Sequence, residues 1–397
     1  MKKELSKGKM PQNILNIFDE PRYLYTQAEI QKKFGEGVYQ SIITTPEFQR
    51  LKGISFLGTI DVFDLFGTKY KFSRFDHSIG VALIAKKIAE FLNLDQNRTK
   101  TLIVASLLHD IGHPPLSHCL ESIFSEHVRY ACNGHHTQTR RLIVGSLQYK
   151  SNVVNLHKVL KKHSVNIAEI SLLLSGRCGD KVLNTLMDNP FNPDTIDGIN
   201  RAAWSFGEKA VATEDILKSF SILNGEVVLN LNYRDSLDAF WSLKNRIYNL
   251  YIYNPKNLIA EHFLSMLFEQ IASDETNFKK ISLMTDNDFL FYLFKQKKVQ
   301  SFLSSIRING SFLENFQEDI SLCNTFEKRR LKKFIYMDNK NFKMPNRIKL
   351  SDAKGCYIRS CSYCNLPNDT KFLRELEQNI ERNYLMHGYY SGECTGQ

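Results

Sequence analysis

The stretch that decides the fold is "SLLHDIGHPPLSH", residues 106–118, in which three histidines and an aspartate follow an apolar run. Residues 98–110, which lead into it, are apolar on nearly every face, as expected for a helix that is buried among other helices. A glycine and two adjacent prolines then end this helix. The sequence therefore places proton-binding and metal-binding side chains at the mouth of a buried helix.

These side chains indicate a metal site. His109 and Asp110 are adjacent, and imidazole and carboxylate groups bind Mn, Fe, Mg, Zn and similar divalent ions. Adjacent helical residues point about 100° apart, so both can bind one ion only where the helix ends or where the ion lies between two elements. His77 begins the preceding amphipathic helix, predicted over 77–92. The short link "NLDQN" (93–97) favours antiparallel pairing of the two helices, which would bring His77 to His109.

The fourth ligand is expected downstream, from a carboxylate in a polar, turn-rich segment. The segment "NPFNPDTIDGINRA" (189–202) offers two such carboxylates, Asp194 and Asp197, and spacing alone allows either one. Each histidine taken singly could instead be an ordinary core or capping group. That interpretation explains poorly why an adjacent His-Asp pair is followed by Gly-His.

Composition sets broad limits on the class of protein. Of 397 residues, 43% are hydrophobic and 12% aromatic, which is enough for a substantial core. Lys and Arg outnumber Asp and Glu by 52 to 42, and this excess suits nucleotides or nucleic acid as well as it suits a solvated surface. No apolar run approaches the length of a membrane span, and the N-terminus lacks the apolar core of a signal peptide. We therefore expect no membrane partner. Because the eight cysteines are widely spaced, we also expect a cytoplasmic protein with reduced thiols.

Helical periodicity dominates the chain, so the expected fold is mostly α, with one small β-hairpin and a helical C-terminal region. The hairpin is predicted within 221–232, where two β-prone runs meet at Asn224-Gly225. We expect four parts: an N-terminal segment (1–43), a helical core (44–270), a helical C-terminal region (271–350) and a cysteine-containing tail (351–397).

Several motifs together resemble the HD-domain phosphohydrolase superfamily, namely "RFDHSIGV" (74–81), "LLHDIGHPPLSH" (107–118) and the later carboxylate. More narrowly, the chain is similar to the deoxynucleoside triphosphate triphosphohydrolase branch, which includes the dGTPases and the SAM-and-HD-domain proteins. Further matching segments follow the order of that branch: "TTPEFQRLKGISFLG" (44–58), "HHTQTRRLI" (135–143), "PDTIDGINRA" (193–202) and "NRIYNLYIYNPK" (245–256). The resemblance covers roughly residues 20–270 and implies an HD-domain helical core.

The resemblance also implies roles for individual residues. Asp194 is preferred over Asp197 as a ligand because the branch has a D-x-x-D-x-x-x-R pattern whose first Asp binds the metal, and Asp197 then pairs with Arg201. The implied metal ligands are His77, His109, Asp110 and Asp194; the residues around the scissile phosphate are His113, His118, Glu121 and His136; the substrate contacts are Arg74, Tyr253 and Lys256. The stiff Pro-Pro loop favours His118 as the acid that protonates the leaving oxygen.

The chain departs from the branch pattern where sugar contacts are expected. Phe56 replaces a Gln, Gly198 and Ala202 replace a Tyr and an Asp, and Thr137 replaces the Glu that commonly follows the position assigned to His136. The implied function is metal-dependent hydrolysis of (deoxy)nucleoside triphosphates to nucleoside and triphosphate by a metal-activated water. One alternative is an HD phosphohydrolase of another nucleotide, such as a monophosphate, a cyclic or a signalling nucleotide. The other is a nucleotide-sensing or nucleic-acid-binding protein, supported only by the basic charge and by segments such as "FEKRRLKKFIYMDNKNFK" (326–343).

Two further expectations concern the tail and the assembly. Cys361 and Cys364 have the spacing of a zinc knuckle, and a structural zinc site is one interpretation of the tail, the other being scattered reduced thiols. The candidate zinc ligands are Cys356, Cys361, Cys364 and Cys394, with His387 also within reach in sequence. The resemblance implies a homo-oligomer and a nucleotide effector.

Overall fold

The structure of the chain is a computed structural model. It describes residues 25–120, 134–149, 155–189, 191–252, 254, 257, 260–261, 264, 267–271, 278, 280–299, 301 and 349–351. Within these residues, no helix combines the length and the apolar character that crossing a membrane requires.

Helices form most of the described chain, as the sequence predicts. In chain order they are α1 (Gln27–Phe34), α2 (Val38–Ile43), α3 (Pro46–Arg50), α4 (Thr59–Phe63), α5 (Arg74–Phe91), α6 (Gln96–Leu108), α7 (Gly134–Val144), α8 (Leu156–Lys162), α9 (Ile167–Leu173), α10 (Lys181–Met187), α11 (Pro193–Ser205), α12 (Thr213–Lys218), α13 (Arg234–Ile247) and α14 (Asp286–Phe294). Short 3₁₀ turns lie at Leu51–Gly53, Ser117–Leu120 and Leu231–Tyr233, and a π-helical turn at Tyr248–Ile252 extends α13. The mostly helical fold is confirmed.

The antiparallel pair α5 and α6 forms the centre of the core. Helix α5 begins three residues earlier than the apolar pattern predicts, because Ser73 and Asp76 form a capping box that satisfies the first backbone N–H groups. Asp95 caps α6 with a single hydrogen bond, which it accepts from the Arg98 N–H. The link between the helices is short, and Asn93 takes a left-handed conformation there (φ 49°). The pairing expected from the sequence is therefore present.

Helix α11 packs closely against α5, and Gly80 makes this approach possible. A Cβ atom added at Gly80 would lie 2.0 Å from Asp197 Oδ1 and 2.6 Å from Arg201 Nη2. Such contacts are far too short, so a side chain at this position would push the two helices apart. The absence of a side chain at Gly80 brings the start of α11, and Asp194 with it, to the start of α5.

The predicted hairpin is confirmed. Strands β1 (Phe220–Leu223) and β2 (Glu226–Asn230) pair antiparallel and are joined at Asn224-Gly225, both of which have positive φ (51° and 74°). Two successive positive φ values are typical of the type I′ turn that two-residue hairpins favour. A short third strand, β3 (Lys349–Ser351), pairs parallel with β2, a pairing that the sequence did not predict.

The segment after α6 turns sharply around Pro114 and Pro115. Leu116 and Ser117 both adopt positive φ (60° and 55°), which is uncommon for residues other than glycine. The segment is fixed by hydrogen bonds to Arg50 of α3, to Ser55 and to Asp286 at the start of α14. Helix α14 belongs to the predicted C-terminal region, and Asp286 in its first turn contacts the loop that carries His118.

Candidate functional site

Four side chains from three helix ends converge at one point. His77 lies in the first turn of α5, His109 and Asp110 directly follow α6, and Asp194 lies in the first turn of α11. His77 Nε2 is 3.0 Å from Asp194 Oδ1, 3.3 Å from His109 Nε2 and 3.6 Å from Asp110 Oδ2. His109 Nε2 is 3.4 Å from Asp110 Oδ1 and 3.7 Å from Asp194 Oδ1. The predicted metal ligands are thus brought together.

The hydrogen bonds on the far side of both imidazoles show that a cation fits this cluster. His77 donates from Nδ1 to Asp197 Oδ2 at 2.7 Å, and His109 donates from Nδ1 to the Ser106 carbonyl at 2.7 Å. In the neutral tautomers that these bonds select, both Nε2 atoms carry lone pairs and face each other across 3.3 Å. Two lone pairs and two carboxylates facing one another form an electron-rich donor set that suits a divalent metal.

The charges around Asp110 are consistent with this interpretation. Burial opposes ionisation of Asp110, but His109, His113 and Arg74 outweigh it and hold the pKa of that carboxyl well below its usual range. Arg74 Nη1 donates to Asp110 Oδ2 at 2.6 Å. Burial also lowers the pKa of His109, yet Asp110 and Asp194 raise it to about 9. The same negative charges that favour a proton on His109 also favour a cation at this position.

A second layer fixes the orientation of His77. Asp197 accepts the His77 Nδ1–H and also two bonds from the Arg201 guanidinium, both at 2.8 Å. Asp197 and Arg201 are fully buried, and the ion pair predicted between them is present. Such outer partners select the tautomer of a metal-binding histidine and raise its basicity.

Next to the metal ligands lies a second cluster, formed by His113, His118 and His135, with ring nitrogens all within 4.8 Å of one another. The His113 ring stacks on that of His135 with centroids 3.8 Å apart and meets that of His118 edge-on at 4.7 Å. His135 Nε2 lies 3.7 Å from Asp110 Oδ1. Burial and the charge of Arg74 hold the pKa of His113 well below its usual value, so this imidazole is neutral at neutral pH.

His135 is the histidine of α7 that sequence reasoning missed. The resemblance pointed to its neighbour His136, whose side chain is exposed in the structure. Because Thr139, Leu142 and Ile143 are buried, the inward face of α7 passes through His135 at helical spacing. That spacing is the sequence signal that could have identified His135.

A cavity of about 220 Å³ opens beside Asp194. One part of its wall is apolar, and the other carries polar and charged groups. The apolar residues include Phe56, Leu57, Ile60, Ile199, Ala202, Ile247 and Ile252; the polar ones include Arg74, Ser117, His118, Asp194, Thr195, Lys244, Asn257 and Glu261. Lys244 was not foreseen, and its ammonium lies 4.7 Å from the centroid of the Trp241 ring.

Phe56 lies beside His77, Arg74 and Gly198 of α11. Its ring is 4.8 Å from that of His77 and 5.2 Å from the Arg74 guanidinium carbon. A Cβ atom at Gly198 would lie 3.7 Å from Phe56 Cζ, so the two positions face each other. The positions where the branch has polar sugar contacts are therefore adjoining and apolar in this chain.

The remaining predicted positions cannot be placed. The catalytic candidate Glu121, the substrate contacts Tyr253 and Lys256, and the zinc candidates Cys356, Cys361, Cys364 and Cys394 lie outside the described residues. Their roles stay predictions.

Residues 74–184 match the family model of the HD domain, which spans α5, α6 and the ligands His77, His109 and Asp110. This part of the chain is similar to HD domains, and relatives of the chain include proteins named as triphosphohydrolases. HD domains bind divalent metals, and the cluster of His77, His109 and Asp110 could hold such an ion.

The chain is also similar to curated proteins and to a solved structure. The uncharacterized protein MG461 of Mycoplasma genitalium is 24% identical over 314 residues, which are 72% of this chain and 68% of that protein. A Dictyostelium discoideum protein named deoxynucleoside triphosphate triphosphohydrolase SAMHD1 homolog is 25% identical over 256 residues, 58% of this chain and 44% of that protein. A crystal structure of a hypothetical protein from Aquifex aeolicus has a TM-score of 0.55 at 23% identity, covering 67% of this chain and 70% of that one. The likeness to the Aquifex structure shows a shared fold. The matched part of the chain spans less than half of the Dictyostelium protein.

Proposed function

We propose that the chain hydrolyses (deoxy)nucleoside triphosphates and releases nucleoside and triphosphate. The observation that carries the proposal is the convergence of His77, His109, Asp110 and Asp194 at the edge of a cavity whose wall also holds His118, Arg74 and Lys244. Such a cavity offers positive charge for phosphate oxygens and an imidazole for the leaving oxygen. Similarity to the Dictyostelium protein supports the triphosphate as substrate.

His77, His109, Asp110 and Asp194 would hold the cation. Bound there, a divalent ion supplies charge neutralisation for the phosphoryl oxygens and an acidified water as nucleophile. Arg74 lines the cavity while donating to Asp110 and to Ser117 Oγ, so its guanidinium is held rigidly beside the phosphate position. Lys244 would contribute a second positive charge from the opposite element, α13.

The histidine cluster would handle protons. His118 lines the cavity, and we assign it the transfer of a proton to the leaving 5′ oxygen. His113 is fully buried, so it would act by orienting His118 and His135 rather than by touching substrate. For the role that the resemblance gave to His136 we propose His135, because His135 is the one that faces Asp110.

Products decide between this function and its main alternative. We expect incubation with nucleoside triphosphates and Mn²⁺ or Mg²⁺ to yield nucleoside and intact triphosphate, resolved by chromatography. With Phe56, Gly198 and Ala202 at the sugar positions, we expect ribo- and deoxyribonucleotides of one base to be cleaved at rates within about tenfold, since no polar contact there discriminates the sugar hydroxyls. Release of orthophosphate or pyrophosphate, or cleavage of monophosphates or cyclic nucleotides only, would favour the HD phosphohydrolase of another nucleotide.

We also propose that the chain forms a homo-oligomer that nucleotides assemble or activate, as the resemblance implies. Light scattering with and without added nucleotides should show a mass above that of one 46.0 kDa chain. A strict monomer with full activity at high dilution would contradict this expectation.

Salt-sensitive binding of nucleic acid that survives loss of the metal ligands would support the alternative of a nucleic-acid-binding function.

A further inference from the structure

The backbone just before His118 has an unusual shape. Leu116 and Ser117 are both left-handed, and two successive non-glycine residues rarely adopt this conformation. Such a conformation persists only where the surrounding structure over-determines it. The position of the His118 side chain therefore depends on whatever holds Leu116 and Ser117.

One carboxylate, Asp286, holds this backbone from a distant part of the chain. Its Oδ1 accepts the Leu116 N–H at 2.7 Å, and its Oδ2 accepts both the N–H and the O–H of Ser55, at 2.7 and 2.5 Å. The Ser55 carbonyl in turn accepts the Ser117 O–H at 2.5 Å, and Ser117 Oγ accepts a bond from Arg74 Nε. Asp286 is only 5% exposed, so water cannot readily replace these bonds.

The segment before Asp286 is anchored to the same loop independently. The Arg50 guanidinium donates to the Met284 carbonyl at 3.2 Å and to the carbonyls of Ile111 and His113 at 3.0 and 2.8 Å. A Cβ atom at Gly53 would lie 2.6 Å from the Thr285 side chain, so this turn is in close contact with the residue before α14. The residues before Asp286 are therefore held in place, and they keep its carboxylate next to the loop that contains Leu116 and Ser117.

We propose that Asp286 is a positioning residue that sets the place of His118 through Leu116, Ser55 and Ser117. This proposal rests on the proposed function, in which His118 protonates the leaving oxygen. Asp286→Asn keeps the size of the side chain but replaces one acceptor oxygen by an N–H₂ donor. Depending on the orientation of the amide, this donor would face the N–H of Leu116 or the N–H of Ser55. One of the two anchors, on Leu116 or on Ser55, is then lost.

The test compares Asp286→Asn with Asp288→Asn in the full chain. Asp288 lies in the same first turn of α14 but is exposed and bonds only Thr285 among the described contacts, so it controls for the lost charge. Because small misplacement of a catalytic group can cost up to about 10²-fold, we expect Asp286→Asn to lower kcat on nucleotides about tenfold or more with little change in KM. On a nitrophenyl phosphodiester, whose leaving group needs no acid, the kcat of Asp286→Asn should fall by less than about twofold. Asp288→Asn should match the wild type on both.

A coupling measurement shows whether the effect passes through His118. In a His118→Ala background, Asp286→Asn should cause no further loss on nucleotides, because residues that act as one unit are non-additive. Equal losses on both substrates, or losses that add to those of His118→Ala, would overturn the proposal. If Asp286→Asn fails to fold, Ser55→Ala, which removes one bond to the carboxylate and no charge, should give the same pattern at smaller size.

A structural readout keeps this proposal separate from the proposed function. Hydrogen–deuterium exchange followed by mass spectrometry should be faster over residues 115–119 in Asp286→Asn and unchanged in Asp288→Asn. Unchanged exchange in both variants would refute the anchoring whether or not the protein cleaves nucleotides. A wild type that cleaves no nucleotide, with faster exchange in Asp286→Asn, would refute the proposed function and the catalytic consequence while leaving the anchoring established.

Discussion

Replacing His109 and Asp110 together by alanine should abolish metal retention and lower hydrolysis by about 10³-fold or more while the protein stays folded. Metal ions contribute several kcal/mol of transition-state stabilisation, and each 1.36 kcal/mol is tenfold in rate. The variant loses one imidazole and one carboxylate, so two of the four donors are missing. Arg74 loses its ion pair with Asp110 but keeps bonds to Ser117 Oγ and to the Phe56 carbonyl. Elemental analysis of bound metal and circular dichroism are the measurements.

Two further variants sharpen this test. Asp194→Ala removes a ligand whose side chain is 49% exposed, so it should release the metal with little effect on folding. His163→Ala removes a histidine that bonds Ser41 away from the cluster and should retain metal and activity. Undiminished metal in the double variant and in Asp194→Ala would show that the cluster is not the metal site.

The convergence of His77, His109 and Asp110 could be predicted because local signals specify it. The short link between α5 and α6 fixes their antiparallel pairing, and the end of α6 at Leu108 puts His109 and Asp110 where both can face one point. The hairpin was equally readable, since Asn224-Gly225 selects its turn. Each of these features depends on residues close together in the sequence.

Features that depend on tertiary packing could not be predicted from local sequence patterns. His135 and His136 differ by about 100° of helical rotation, so the packing of α7 decides which one faces the site. The Gly112 N–H donates to Thr139 Oγ1 at 3.0 Å, and this contact fixes the rotation of α7. Asp286 is separated from Leu116 by 170 residues, and no local pattern links them. The strand pairing of β3 with β2 is likewise a long-range contact.

His118→Ala should lower kcat on nucleotides by about 10²-fold or more, because general acids typically contribute about 10²–10⁴-fold. His118 lines the cavity and is exposed, whereas His113 beside it is fully buried. Removing the exposed ring should therefore leave the core intact. Since an acid acts mainly in the transition state, KM and bound metal should change little.

The choice of substrate identifies the step that His118 serves. A nitrophenyl phosphodiester has a leaving oxygen that departs without a proton, so on this substrate the variant should recover most of the loss. His135→Ala provides the comparison, because His135 lies 3.7 Å from Asp110 and belongs to the same cluster. Suppose that His118→Ala lowers kcat equally on both substrates, while His135→Ala lowers kcat on nucleotides but not on the nitrophenyl phosphodiester. The acid is then His135. If neither variant recovers, proton transfer to the leaving oxygen comes from outside this histidine cluster, and His118 serves to position the substrate.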